Sequence, residues 1–260
     1  MLIEIVFFAL LGLTFGSFCN VLIYRLPRNI PIGLSRSRCN DCGVQIKTYD
    51  NIPILSFLLL RGKCRSCGNR ISIRYPLVEL LVCLLWIVPA LLDQSIPQAM
   101  ISALFTTALA VIAIVDFEHL VIPDSMVITI AILSIPGFAM QLSPDWPDRL
   151  IGGFATGAFF YLLAVLSEKI LKKEGMGGGD IKLVAAAGLV LGWQLSALAI
   201  GLSAVVALIM IVLMKLTGFK LNAEKQLPFA PALAVAMAVC HYFGAEIIHW
   251  YLHSIIGLSG

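Results

Sequence analysis

The chain has 260 residues, of which 60% are hydrophobic and 13% charged, and its formal net charge is +3. Soluble domains average about 45–50% apolar and about 25% charged, so this chain has too few polar side chains to cover a water-facing surface. That excludes a soluble enzyme and a disordered chain, and the small net charge without a basic tail excludes a nucleic-acid binder; a polytopic membrane protein remains.

Apolar runs occupy roughly residues 2–24, 75–92, 96–115, 125–142, 150–171, 181–193, 195–216 and 229–256. They are continuous rather than alternating, which predicts helices and not a β-barrel. The expected fold is therefore all-α, a helical bundle with about eight transmembrane helices. The first run lacks a basic leading region and an A-x-A-like cleavage site, so it reads as a retained span and not a signal peptide. The run at 181–193 is short and rich in alanine and glycine, which places it inside the bundle. The expected organisation is a first transmembrane helix (1–24), a cytoplasmic zinc-binding loop domain (25–74) and a transmembrane core (75–260).

The loop carries two C-x-x-C pairs, Cys39–Cys42 and Cys64–Cys67, each followed by a glycine, Gly43 and Gly68. Four thiolates suit a tetrahedral Zn²⁺ with bonds of about 2.3 Å, and the glycines permit the tight turns that aim them. Arg38, Lys63 and Arg65 favour the thiolate forms. The loop has no histidine, so the zinc is read as structural. Cys19, Cys83 and Cys240 lie in apolar runs at no ligand spacing and read as packing residues.

Carboxylates near spans are costly and mark function by default. Asp116 ends the third run, where it faces the negative end of its helix macrodipole, and capping does not account for it. Asp180 opens the sixth run after Gly177-Gly178-Gly179. It can be read as an N-cap, but a cap needs no such glycine run. Those glycines are expected to form a side-chain-free wall for an extended substrate. Two carboxylates in a low-dielectric site share one proton, so one activates water as base while the other protonates a leaving amine as acid. Asp124 follows Ile-Pro and reads as an N-cap, and Glu118 and His119 as solvated. Glu79 has two readings, pairing with Arg74 or a role with substrate. His249 and His253, beside Trp250 and Tyr251, read as interfacial packing more than metal ligands.

Charge sets the orientation. Ten of the 18 Lys/Arg lie between Arg25 and Arg74, and with eight spans Lys169, Lys172, Lys173, Lys182, Lys215, Lys220 and Lys225 join them on one side. Only Arg149, beside Asp145 and Asp148, falls on the other. The crowded side is cytoplasmic by the positive-inside rule, and the reducing cytoplasm disfavours disulfides in the cysteine loop.

In this order the motifs resemble the bacterial type IV prepilin peptidases, leader peptidase/N-methyltransferases of the G-x-G-D membrane aspartyl protease group. The resemblance is carried by Gly16-Ser17-Phe18-Cys19-Asn20-Val21-Leu22-Ile23-Tyr24-Arg25-Leu26-Pro27, the cysteine loop, Arg74-Tyr75-Pro76-Leu77-Val78-Glu79-Leu80, and the stretch from Asp116 to Pro123-Asp124. Gly177-Gly178-Gly179-Asp180 and Pro228-Phe229-Ala230-Pro231 complete it, the latter with alanine where the family motif has glycine. It implies Asp116 and Asp180 as the catalytic pair. It further implies a type IV prepilin or type II secretion pseudopilin as substrate, the bacterial inner membrane with its lipid as location, and a cytoplasm-facing active site. S-adenosylmethionine would be the methyl donor, with no residue assigned to bind it. The other readings are a proton-coupled transporter with a zinc-stabilised cytoplasmic cap and a structural assembly factor of a secretion machine.

Overall fold

A computed structural model describes residues 2–33, 37–93, 95–139, 144–171, 177–217 and 227–256. Among them the chain is all-helical, with α1 (Leu2–Arg25), the short α2 (Leu55–Leu59), α3 (Arg74–Leu92), α4 (Ile96–His119), α5 (Asp124–Ala139), α6 (Trp146–Leu171), α7 (Gly178–Leu216) and α8 (Ala230–Tyr251). Six of these are long and apolar enough to cross a membrane. Two features separate that number from the expected eight. The apolar stretch Asp124–Gly137 is shorter than a full span. The segments expected at 181–193 and 195–216 run together in α7, broken at Gly192 (φ 76°, ψ 175°). Arg36, Lys172, Lys173, Lys220 and Lys225, which enter the charge count, lie outside the described residues, as do Gly175 and Met176.

The chain divides into two compact units, Met1–Ala103 and Leu104–Gly260, with the boundary inside α4. In the first unit α1 packs on α3 through glycines. A Cβ on Gly12 would lie 2.8 Å from the Cα of Cys83, and one on Gly16 only 2.7 Å from the Cα of Glu79. This small-x-x-x-small stripe lets the two backbones meet, as helices in lipid require when no hydrophobic difference drives them together. Phe15 stacks on the buried Trp86 (ring centroids 4.5 Å apart) one turn further out.

In the second unit the closest helix pair is α6 and α7. A Cβ on Gly152 would fall 2.6 Å from the carbonyl oxygen of Gly188, and Gly153 meets the side chain of Leu189 equally closely. The Thr156 hydroxyl donates across the contact to Val184 O (3.1 Å) and back to Gly152 O (2.6 Å). Arg149 is buried at the start of α6, where Nε donates to Pro144 O (2.8 Å) and a terminal nitrogen to Leu189 O (3.3 Å). Leu189 lies in the last turn before the Gly192 break, so the cation serves a carbonyl that the interrupted helix leaves open. Arg149 is thus a buried helix-end partner. The outward face of α6, with Phe154, Tyr161 and Leu162, is exposed and apolar, as a lipid-facing surface must be.

Candidate metal centre and candidate active site

The two C-x-x-C pairs fold into matching knuckles. Gly43 N–H donates to Cys39 O (3.0 Å) and Gly68 N–H to Cys64 O (2.9 Å), while Cys39 N–H reaches Val44 O and Cys64 N–H reaches Asn69 O. Gly43 (φ 70°) and Gly68 (φ 74°) supply the left-handed turn residue in each, a conformation glycine adopts without a Cβ clash. An isolated bridge closes each knuckle, Arg38 to Gln45 and Lys63 to Arg70. The result brings the four Sγ atoms within 4.8 Å of one another, the one such cluster of potential ligands among the described residues. Cys39 Sγ and Cys67 Sγ are 3.9 Å apart. A tetrahedron with metal–sulfur bonds of about 2.3 Å has edges of about 3.8 Å, so the donor set fits zinc. Backbone N–H groups of Cys67 and Ser66 aim at the Cys64 sulfur and hold its thiol down at about 7. Arg65 clamps Asp50 between the knuckles with Nε and a second nitrogen on the carboxylate (2.7–3.1 Å). That guanidinium holds the Asp50 carboxyl below the usual carboxylate range.

Asp116 and Asp180 both lie in the second unit. Asp116 occupies the last turn of α4 and is buried. Its Oδ2 accepts the backbone N–H of Ala230 (3.2 Å), the first residue of α8. The carboxylate opposed by its own helix is therefore placed at the positive end of another, which the Pro-Phe-Ala-Pro stretch delivers. Asp180 sits in the first turn of α7, where its carboxylate accepts the N–H of Gly177 and interacts electrostatically with that of Asp116. The two carboxylates thus lie within electrostatic range of each other.

Asp124 and Gly179 behave differently from expectation. Asp124 is the first residue of α5, and its carboxylate takes Lys182 Nζ (2.8 Å) rather than a backbone amide. The carbonyl that opens α5 is that of Pro123, which accepts from Met126 and Val127. Gly179 does not face an open groove: a Cβ there would meet Ile122 at 3.0 Å. Of the run, Gly178 alone has nothing within 4 Å, while Gly177 stands beside Asp180 Oδ2. The close approach at Gly179 is therefore with the chain's own loop between α4 and α5.

Two features of the first unit escape sequence reading. Glu79, buried in α3, does not pair with Arg74. Its Oε2 accepts the N–H of Ile54 (2.7 Å), and the Ser17 hydroxyl bonds the same carboxylate. Nearby, a cavity of about 300 Å³ opens between α1 and the cysteine loop, lined by Phe18, Val21, Arg25, Ile32, Thr48 and Asn51 among others. Loop contacts of this kind have no periodicity to betray them. In the second unit, the rings of His249 and His253 lie with centroids 4.2 Å apart, tilted by 39°.

Residues 10–92 match the bacterial peptidase A24 N-terminal domain, and residues 103–212 match the type IV leader peptidase family. A protein of Bacillus subtilis (strain 168) named prepilin leader peptidase/N-methyltransferase is 34% identical over 95% of this chain and 97% of its own. Proteins of the same name from Stutzerimonas stutzeri (36% identical, 93% and 91% covered) and Pseudomonas aeruginosa (34%, 94% and 91%) are similar. No solved structure matches the chain.

Proposed function

The chain belongs to the type IV leader peptidase family, and on that basis we propose that it is a multi-pass membrane aspartyl endopeptidase that removes the leader of a type IV prepilin or type II pseudopilin and then N-methylates the new N-terminus. The observation that carries the peptidase half is the electrostatic interaction between Asp116, in the last turn of α4, and Asp180, in the first turn of α7. The proton-coupled transporter finds no support among these relatives.

In this reading the carboxylates share one proton. The ionised member takes a proton from water, whose oxygen attacks the scissile carbonyl; the protonated member passes its proton to the leaving amine. The N–H of Ala230 on Asp116 Oδ2 and that of Gly177 on Asp180 fix one oxygen of each group and leave the remaining oxygens for water and substrate. Zinc, when bound by Cys39, Cys42, Cys64 and Cys67, ties the two knuckles and so orders the loop. S-adenosylmethionine supplies the methyl group.

The membrane reading is eight crossings, with 1–24 as a first span, 25–74 as the cytoplasmic zinc domain and 75–260 as the core, in the bacterial inner membrane. A straight 39-residue α7 would measure about 58 Å against a hydrocarbon core of about 30 Å, so the Gly192 break divides it into two passes. The first part of α7, residues 178–191, would then be about 21 Å long and α5 about 24 Å. Such short helices need protein on most sides, and the buried Leu183, Val184, Ala187 and Leu191 agree with that. The positive-inside count sets the aspartates at the cytoplasmic face.

The test is a cleavage assay with purified protein and a prepilin. Asp116→Asn and Asp180→Asn should each abolish leader removal while the protein remains folded and inserted. Wild-type cleavage by either variant removes that residue from the pair.

A further inference from the structure

The first unit holds a buried polar cluster that leader cleavage does not use. Where α1 crosses α3, Gly16 lies against Glu79, and one turn along Asn20 lies against Tyr75. Asn20 Nδ2 donates to Gly16 O (3.3 Å) and Tyr75 O (3.1 Å). Both neighbours are acceptors, so the amide can sit only this way round. Its Oδ1 is consequently turned away from both carbonyls, and this buried oxygen has no hydrogen-bond donor among the described residues. Asn20 is 4% exposed and Glu79 8%.

Glu79 is the second half of the cluster. A carboxylate offers about four lone-pair directions, and the described partners of this one are the Ile54 N–H and the Ser17 hydroxyl. Ile54 presents that N–H from a left-handed backbone (φ 59°, ψ −49°), an outlying conformation for a β-branched residue and one that persists only where its surroundings enforce it. The side chains at this crossing thus hold a buried carboxyl group and an unfilled amide oxygen. The Ile54 and Ser17 donors leave acceptor positions open on Glu79, Asn20 Oδ1 has no donor among the described residues, and the donor that suits such buried acceptors best is a small cation with several N–H bonds.

We infer that Glu79 and Asn20 bind the α-ammonium that leader cleavage exposes on the substrate, and that Glu79 takes its proton before methyl transfer. The inference rests on the proposed N-methyltransferase activity and assigns it residues. An α-amino group has a pKa of about 7.7–8.0, so near neutrality its lone pair carries a proton and cannot attack. Transfer of that proton to Glu79 gives a neutral amine and a neutral carboxylic acid. The amine lone pair then forms a C–N bond to the methyl carbon of a sulfonium donor. The C–S bond breaks with its electron pair going to sulfur, leaving a thioether and a protonated, methylated amine. Glu79 returns its proton to solvent. Asn20 Oδ1 accepts a second N–H and orients the nitrogen.

The experiment uses the full-length, zinc-loaded protein in detergent, a prepilin, and mass spectrometry that resolves leader loss from gain of a methyl group. Glu79→Gln preserves the shape and an acceptor for Ile54 N–H but removes the charge. Cleavage should stay within about twofold of wild type, while methylation should fall by about 100-fold or more, the size of a lost general base. Glu79→Asp should recover part of it. A second measurement needs no variant: a synthetic peptide with the mature N-terminal sequence should compete for methylation better with a free amine than N-acetylated. A wild-type enzyme that cleaves without methylating would overturn the activity and this inference with it. Undiminished methylation by Glu79→Gln, or equal competition by the two peptides, would overturn the inference alone. Proportional loss of both reactions would overturn it too, because Glu79 would then be holding the loop or the basic leader.

Discussion

Asp116 stands at the negative end of its own helix and at the positive end of another. The first fact is legible in sequence, because the apolar run 96–115 ends beside it. The second is not, since the donor, Ala230, lies 114 residues away and only folding joins them. The neighbouring Asp124 shows the converse. An Asp before an apolar run predicts a cap, but Lys182 is within reach and takes the carboxylate instead. Both partners are largely exposed, and such ion pairs contribute about 0–1 kcal/mol. Asp124→Asn should therefore retain most cleavage activity and shift the melting temperature little; complete loss of cleavage would place Asp124 in the chemistry. Gly179 is a stricter position. Its would-be Cβ is already 3.0 Å from Ile122, so Gly179→Val should displace the loop before α5 and the Asp180 turn together. Substrate cleavage should fall sharply, and a paired Ile122→Ala substitution, which makes room, should restore part of it. If Ile122→Ala restores nothing, the close approach that matters at Gly179 is not with Ile122.

At the scale of helices, the second unit depends on where backbone can approach backbone. Hydropathy places the gap between its sixth and seventh apolar segments at Gln194, yet the chain breaks at Gly192. Composition cannot distinguish the two, because the break is a matter of φ and ψ. Only glycine rests at φ 76°, ψ 175° without strain, and a Cβ there would also lie 2.7 Å from the ring of Pro144. The Ala- and Gly-rich character of residues 181–193 does predict a helix inside the bundle, and Gly188 against Gly152 is the reason for it. Gly192→Ala should accordingly destabilise the protein by about 1–3 kcal/mol from backbone strain alone, read as a lowered detergent melting temperature. Thr156→Val, which removes the hydroxyl bonds to Val184 O and Gly152 O, should cost about 1 kcal/mol. Equal melting temperatures for wild type and Gly192→Ala would mean that α7 runs through that position without the break.

Across the whole chain, the two family matches follow the two compact units, residues 10–92 within the first and all but the first residue of 103–212 within the second. The proposed aspartate pair lies in the second, and the cysteine loop and Glu79 lie in the first, so damage to the candidate metal centre should fall unevenly on the two reactions. The loop buries few apolar side chains of its own, with Ser56 the one buried residue of α2 and Tyr49, Leu58 and Leu59 exposed. A metal bound by the four cysteines should then contribute much of its folding free energy. Elemental analysis should find one zinc per chain, and Cys64→Ser should abolish it, whereas Cys19→Ser, Cys83→Ser and Cys240→Ser should not. Stripping the metal with a chelator should open residues 37–73 to proteolysis while the helices survive. Ile54 lies between the two knuckles and donates to Glu79, so an unfolded loop also releases that carboxylate. Methylation should therefore be lost at chelator concentrations that still leave measurable cleavage, and both should return on adding zinc. Parallel loss of the two activities along the chelator titration would mean that the loop supports the peptidase directly and that Glu79 is not its point of action.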